Sequence, residues 1–579
     1  MLRTSWLSAR VPLLIALLAA AYSAAMFRGL ENHPGYYGSA YQVLYPQAFP
    51  GDPFMAADRP VMLSLYYFLV KIVGPLWLDD RFTFLIFFAM TVLSLMALDK
   101  MARLFGCRSF WERSALMALV LLEHKLHIVH VLLVDNYGFN ATALGGVAAV
   151  WLLYGALAGW GAARQLPLAI LGMAISPKNC WLPVLMAAAL FWKDRLGHRG
   201  KLRALAAAGL VGVGGLIFYY ARLRPADGSD VALFDYILRV MDNQEADPFL
   251  YPLRYNLLFG GFCLAGFLPL GLPTEVMRRV RVVAAMGLLV WLASGLYLSY
   301  APDALKIPPL VPFDPRRALR WPTYILFAAF GAALLKRFQE APSSRGVVLS
   351  GLGFFGLYLA HLELRWNLLI LVGLAAAGML AFYRRLSPAS LSPEQRLRLA
   401  AVPAVLGTLG LYSVGAVHHR WATLGHLARY GIVGDNPTAK WTGINEYIRR
   451  ETPPSATVLA LTQENALRQP APLGFDGSLR ARTGRAMPFG HAASFYLDYA
   501  KLRWWEERSR EVKDLAAGWE REDARAVSEG LRRLGPPSYL IVPTAKSLWA
   551  ERSPALGYRV ETRIRDFTIF RLAHGDGGA

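Results

Sequence analysis

Three groups of residues in this chain have types and spacings that chemistry uses. The first is a set of carboxylates in one stretch, Glu31, Asp52 and Asp58, with His33 among them. A carboxylate of this kind acts as general base on a hydroxyl, the more so when partial burial raises its pKa. The plainer alternatives are a solvated helix end for Glu31 and a Pro/Gly turn, PGDPF, built by Asp52. The second group is EHKLHIVHVLLVD, which holds Glu123, His124, Lys125, His127, His130 and Asp135. Ionisable residues inside or beside membrane helices are costly and often mark function. On a helix the histidines recur at i, i+3, a spacing able to hold a divalent metal, though without the definition of a strong metal motif. A catalytic or substrate-binding use of His124, Lys125 and Asp135 is a second reading, and an ordinary wet loop a third.

The third group is cationic. FDPRRALRW carries Arg316, Arg317 and Arg320, and SPKN carries Lys178 between two apolar half-helices. Guanidinium grips phosphate through paired hydrogen bonds, and a half-helix N-terminus adds a favourable dipole. The alternatives are headgroup anchoring and pairing with Asp314. Arg480, Arg482 and Arg485 with Trp504 and Trp505 form a weaker set. They suit a sugar or an anionic headgroup, and suit surface and core equally well.

The elements that must position these groups are mostly membrane spans. The 579-residue chain is 55% hydrophobic and 17% charged, more apolar than a soluble enzyme of its size. Apolar runs near spanning length recur from Val11 to Val417, and the gaps between them are alternately Arg-rich and Arg-poor. Much of the net charge of +21 follows that alternation, as the positive-inside rule expects, part is a general Arg enrichment that continues into the tail, and no basic-aromatic stripe forms a nucleic-acid footprint. Three cysteines, Cys107, Cys180 and Cys263, lie far apart with no zinc spacing.

The basic-flanked start reads as an uncleaved first helix rather than a signal peptide. An external loop over 30–80 follows, ending in an interfacial helix at Val61–Trp77. Later spans are expected at Phe82–Leu98, from Ser114 into HKLHIVHV, and at Ala141–Ala158. Two short helices, Leu166–Ile175 and Trp181–Trp192, meet at SPKNC. The total is about thirteen helices, with the N-terminus cytoplasmic. The fold class is therefore a polytopic α-helical membrane protein, 1–417, with a small extracytoplasmic α/β domain, 418–579. In that tail WTGINEYIRR reads as a helix, TVLALT and SYLIVP as buried strands, and Phe495–Leu534 as one or two amphipathic helices. YRVETRIRDFTIFRL reads as a terminal hairpin.

With the acidic loop after helix one, two phrases carry a resemblance. YPQAFPGDPF and KWTGINEYIRRETPPSATVLAL resemble the first loop and the start of the tail in bacterial membrane proteins related to the GT-C class of glycosyltransferases. The resemblance implies transfer of a sugar from a polyprenyl-phosphate donor to an envelope lipid, glycan or protein acceptor on the external face. It implies a first-loop carboxylate as base, here Glu31 or Asp52; the chain has no adjacent acidic pair beside Glu31. The donor phosphate would lie among Arg316, Arg317, Arg320 and Lys178, in the cytoplasmic membrane of a bacterium with the tail periplasmic. Membrane lipid is then a partner and nucleic acid is not. No cofactor is assigned, a divalent metal stays open, and the oligomeric state is not set. The rival functions are a transporter or flippase for an envelope glycolipid, and a scaffold subunit.

Overall fold

The structure is a computed structural model. It describes residues 2–27, 40–49, 52, 65–121, 124–126, 129–131, 141–195, 197, 199–200, 249, 253–300, 318–341, 344–359, 391–410, 436–461, 483–488 and 499–573. The chain divides into two compact units, Met1–Phe27, Phe84–Arg224 and Gln244–Arg420 forming one, and Arg28–Thr83, Pro225–Asn243 and Trp421–Ala579 the other.

The first unit is helical. Its helices include Leu2–Met26, Phe110–Leu121, Ala141–Leu157, Ala162–Ile175, Pro177–Arg195, Leu253–Ala265, Thr274–Tyr300, Arg320–Glu340 and Ser344–Leu359, one over 393–410, and most of Asp80–Leu104. Among the described residues, Asp80–Leu104 and Thr274–Tyr297 are long and apolar enough to cross a membrane. At about 1.5 Å rise per residue they exceed the ~30 Å hydrocarbon layer. Leu85 and Leu93 on one, and Leu289, Leu292 and Leu296 on the other, stay exposed, a face that hydrocarbon accepts better than water. The apolar runs 204–220 and 368–382, which the sequence also offers as spans, lie outside the described residues.

Local chemistry fixes where several helices start. Ser109 and Glu112 form a capping box: the Arg108 and Ser109 amides donate to Glu112 Oε2 at 2.8 and 2.7 Å, and the Glu112 amide donates to Ser109 Oγ at 3.1 Å. Ser392 and Gln395 repeat the device, at 2.8 and 3.3 Å. The span expected to run from Ser114 into HKLHIVHV instead ends at Leu121. Strands β1 (His124–Leu126) and β2 (Val129–Val131) follow as an antiparallel pair. The β-branched Val129 and Val131 favour that extended backbone.

The second unit is α/β. Helix Asn436–Glu451, β3 (Val458–Ala460), helices Tyr499–Glu520 and Ala524–Leu534, β4 (Tyr539–Pro543), β5 (Tyr558–Ile564) and β6 (Phe567–Leu572) match the elements expected in the tail. The sheet order is β3-β4-β6-β5, with β3 parallel to β4 and the other pairs antiparallel. Ile444 and Ile448 pack with Val458, Ala460, Ile541, Phe567 and Ile569 into its core. Asp523 caps Ala524–Leu534 by accepting from the Arg525 and Ala526 amides at 3.1 and 3.0 Å, and Gly535 closes it at φ 81°.

This unit also holds the segment expected as an interfacial helix. Leu65–Val73 is α-helical, and Gly74, at φ +69°, turns it into a 3-10 turn ending at Leu78. Tyr66, Tyr67, Val70 and Trp77 are buried, while Phe68, Ile72 and Leu76 are exposed at intervals of four. That leaves one apolar stripe outward, as an interfacial helix requires.

Candidate functional site

In the first unit one buried polar cluster lies at the break at Ser176, where Ala162–Ile175 ends and Pro177–Arg195 begins. Proline at the first helical position cannot supply an amide to the preceding helix, so the chain restarts there. Two glycines let the pieces close up. A Cβ on Gly145 would meet Ser176 Cβ at 2.6 Å, and one on Gly172 would meet Cys180 Sγ at 2.8 Å. Asn179, 1% exposed, lies in the first turn of the second piece. Its Nδ2 donates to the Thr142 carbonyl at 2.9 Å, which leaves Oδ1 to accept from Arg320 Nη2. Its own carbonyl accepts the Trp321 indole N–H at 2.8 Å.

Arg320 is itself 1% exposed, and its guanidinium carbon is 4.8 Å from the centre of the Trp321 ring, a cation–π distance. Two of the phrases read as cationic, SPKN and FDPRRALRW, thus meet through Asn179 and Arg320. Lys178 lies in the same first turn; Arg316 and Arg317 lie outside the described residues.

In the second unit the Asp52 carboxylate is 3% exposed. Its Oδ2 accepts the Met487 amide N–H at 3.1 Å, across 435 residues of sequence. Beside it the Phe49 amide donates to the Gly484 carbonyl at 3.3 Å. Tyr41 packs between Tyr45 and Phe49, with ring centroids at 4.8 and 5.6 Å. Gly484, at φ +68°, has no room for a side chain, because a Cβ would meet Tyr41 at 2.9 Å.

Arg485 anchors the same strip. It donates to the carbonyls of Thr483, Arg449 and Thr452 at 2.9, 3.1 and 2.7 Å, and to Thr452 Oγ1 at 3.1 Å. Burial lowers its pKa from the usual arginine value. Burial raises that of the Tyr41 phenol, helped by Tyr45 and opposed by the charges of Arg485 and Arg449. So a segment of the first loop folds with the tail as one body, and Asp52 is one of its ties.

That geometry carries an expected result. Asp52→Ala, which strands the buried Met487 amide, should destabilise the second unit by about 1–3 kcal/mol. Asp52→Asn, which keeps an acceptor oxygen, should cost less. Thermal unfolding of the two purified variants would check this. Equal losses would remove the hydrogen bond as the cause.

The remaining sequence candidates divide simply. Glu31, Asp58 and Asp135 lie outside the described residues. His124 and Lys125 lie in β1, where the register pairs His124 with Val131 and Lys125 with His130. The helical i, i+3 spacing that motivated a shared metal is therefore absent there. Among the described residues no group of three His, Cys, Asp or Glu could hold a metal ion. Arg485 is a tie within the fold, while Arg480 and Arg482 lie outside the described residues.

Sequence reading passed over Asn179, Thr142 and Trp321. The helix break was visible, but an Asn in a first turn looks like a capping residue, and nothing local points it at a residue 141 positions away. Neither the family models nor the curated proteins give a match to this chain.

Proposed function

We propose that the protein is a membrane glycosyltransferase of the GT-C kind, an inverting enzyme moving a sugar from a polyprenyl-phosphate donor to an envelope lipid, glycan or protein. Arg320 carries this reading. Its guanidinium is 1% exposed, begins a largely buried apolar helix, and is tied to the break between two others. A cation is costly in such surroundings and is kept where it has work to do. The headgroup of a polyprenyl phosphate suits it, and the sequence offers Arg316, Arg317 and Lys178 as further cations for that phosphate.

The acceptor hydroxyl gives its proton to a first-loop carboxylate. Glu31 takes that role, since Asp52 is buried on the Met487 amide. The acceptor oxygen bonds to the anomeric carbon, and the bond from that carbon to the phosphate oxygen breaks. The polyprenyl phosphate leaves with the bonding electrons, its charge met by guanidinium. In this reading the chain is a multi-pass protein of the bacterial cytoplasmic membrane, with the N-terminus cytoplasmic and the tail periplasmic.

The test is transfer of label from a radiolabelled polyprenyl-phosphate sugar to a membrane acceptor by the full-length protein in liposomes. Glu31→Gln should abolish transfer, Asp52→Asn should retain it, and an unchanged rate in Glu31→Gln would remove that base. The helix break at Ser176 favours one second reading, because discontinuous helices are how transporters build their binding sites. Flipping of the lipid without transfer of the sugar would select it.

A further inference from the structure

We infer that Asn179 is the positioning residue of the phosphate site, holding Arg320 in place through a neutral amide. The inference rests on the donor-phosphate reading of Arg320 above. It starts from the way Asn179 is used on three sides. Its Nδ2 donates to the Thr142 carbonyl at 2.9 Å. Its backbone carbonyl takes the Trp321 indole at 2.8 Å. Its Oδ1 takes Arg320 Nη2. An amide has one acceptor oxygen and one donor nitrogen. With the nitrogen committed to a carbonyl, the oxygen has to face the guanidinium.

The residue therefore joins helices Ala141–Leu157, Pro177–Arg195 and Arg320–Glu340 at one point. Trp321, fixed by the same residue, supplies the ring that Arg320 lies against at 4.8 Å. Arg320 is thus oriented from two directions by partners that both depend on position 179.

The chemistry of the side chain matters as much as its reach. A carboxylate at 179 would hold the guanidinium more strongly, but it would add a negative charge beside an incoming phosphate. It would also press that charge on the Thr142 carbonyl. An amide orients the cation and adds no opposite charge. This is what a site needs when its cation must be both fixed in direction and attractive to an anion.

Asn179→Asp separates the two functions, because it can restore the contact to Arg320 as an ion pair while opposing the phosphate. The probe is a short polyprenyl monophosphate, compared with the matching uncharged polyprenol, bound to the full-length protein in detergent. Asn179→Asp should still fold, at some cost from the lost donation to the Thr142 carbonyl, while its preference for the phosphate over the alcohol falls about ten-fold or more. Asn179→Ala, which removes the acceptor without adding charge, should lose a smaller factor. It serves as the deciding variant should Asn179→Asp not fold. A wild type that prefers the phosphate, with a folded variant that prefers it equally, would overturn the role of Asn179 alone. A wild type that binds both lipids equally would overturn the phosphate reading itself, and this inference with it.

Discussion

Arg320→Met is expected to lower sugar transfer about 100-fold, a loss of ~3 kcal/mol in transition-state stabilisation, while leaving the protein folded. Two opposing terms set the stability side. The substitution strands Asn179 Oδ1, which now accepts from the guanidinium, at about 1–2 kcal/mol. It also removes the desolvation cost of a cation that is 1% exposed, and apolar replacements of buried ions are often neutral or stabilising. On the functional side nothing replaces the charge that meets the leaving phosphate. Arg320→Lys should fall between, because an ammonium keeps the charge but loses the planar fork and its stacking on Trp321. Initial rates with a radiolabelled polyprenyl-phosphate sugar, read beside unfolding midpoints, would check both halves. A folded Arg320→Met with the wild-type rate would end the donor-phosphate reading.

The two units differ in how much of them could be read from sequence. In the tail, period-two and period-3.6 patterns mark the elements, and turn residues bound them. TVLALT and SYLIVP became β3 and β4, and the break in YRVETRIRDFTIFRL fell at Arg565 and Asp566, where Arg565 takes a φ of 53°. Short-range signals suffice for such elements because each is decided within a few residues. The same holds for the break at SPKNC, where a proline restarts the helix. The region after Leu121 misled because an apolar run with spaced histidines fits both a helix and a strand pair, and only the pairing itself decides.

What could not be read is long-range. Asp52 and Met487 are 435 residues apart, and Asn179 and Arg320 are 141 apart. Composition suggests a Pro/Gly turn for Asp52, but such a turn says nothing of the strip of tail backbone it grips. The candidate site was therefore legible as residue types and only partly as a site. The guanidinium was found from its charge, and the amide that aims it was not, because a neutral Asn carries no signal in a charge pattern.

The largest expected effect on stability lies elsewhere in the first unit, at Asp99. Its carboxylate, 7% exposed, meets Arg113 Nη1 at 3.0 Å and Arg103 Nη2 at 2.9 Å. Arg113 Nη1 also reaches the second carboxylate oxygen at 3.3 Å. The two arginines are not equivalent. Arg103 is 60% exposed and Arg113 is 10% exposed, on a helix whose residues from Glu112 to Leu121 are all buried. Asp99→Ala should therefore cost about 3–5 kcal/mol, because it strands a buried guanidinium. Arg103→Ala should cost under about 1 kcal/mol, because water already screens that pair. The double variant Asp99→Leu with Arg113→Met should recover much of the loss, since it removes both charges together. Unfolding of the three proteins in one detergent would rank them, and an Asp99→Ala no less stable than Arg103→Ala would sink the argument. The pairing fastens Asp80–Leu104 to Phe110–Leu121 across the turn at Gly106, so substitution of Arg113 would disturb that packing.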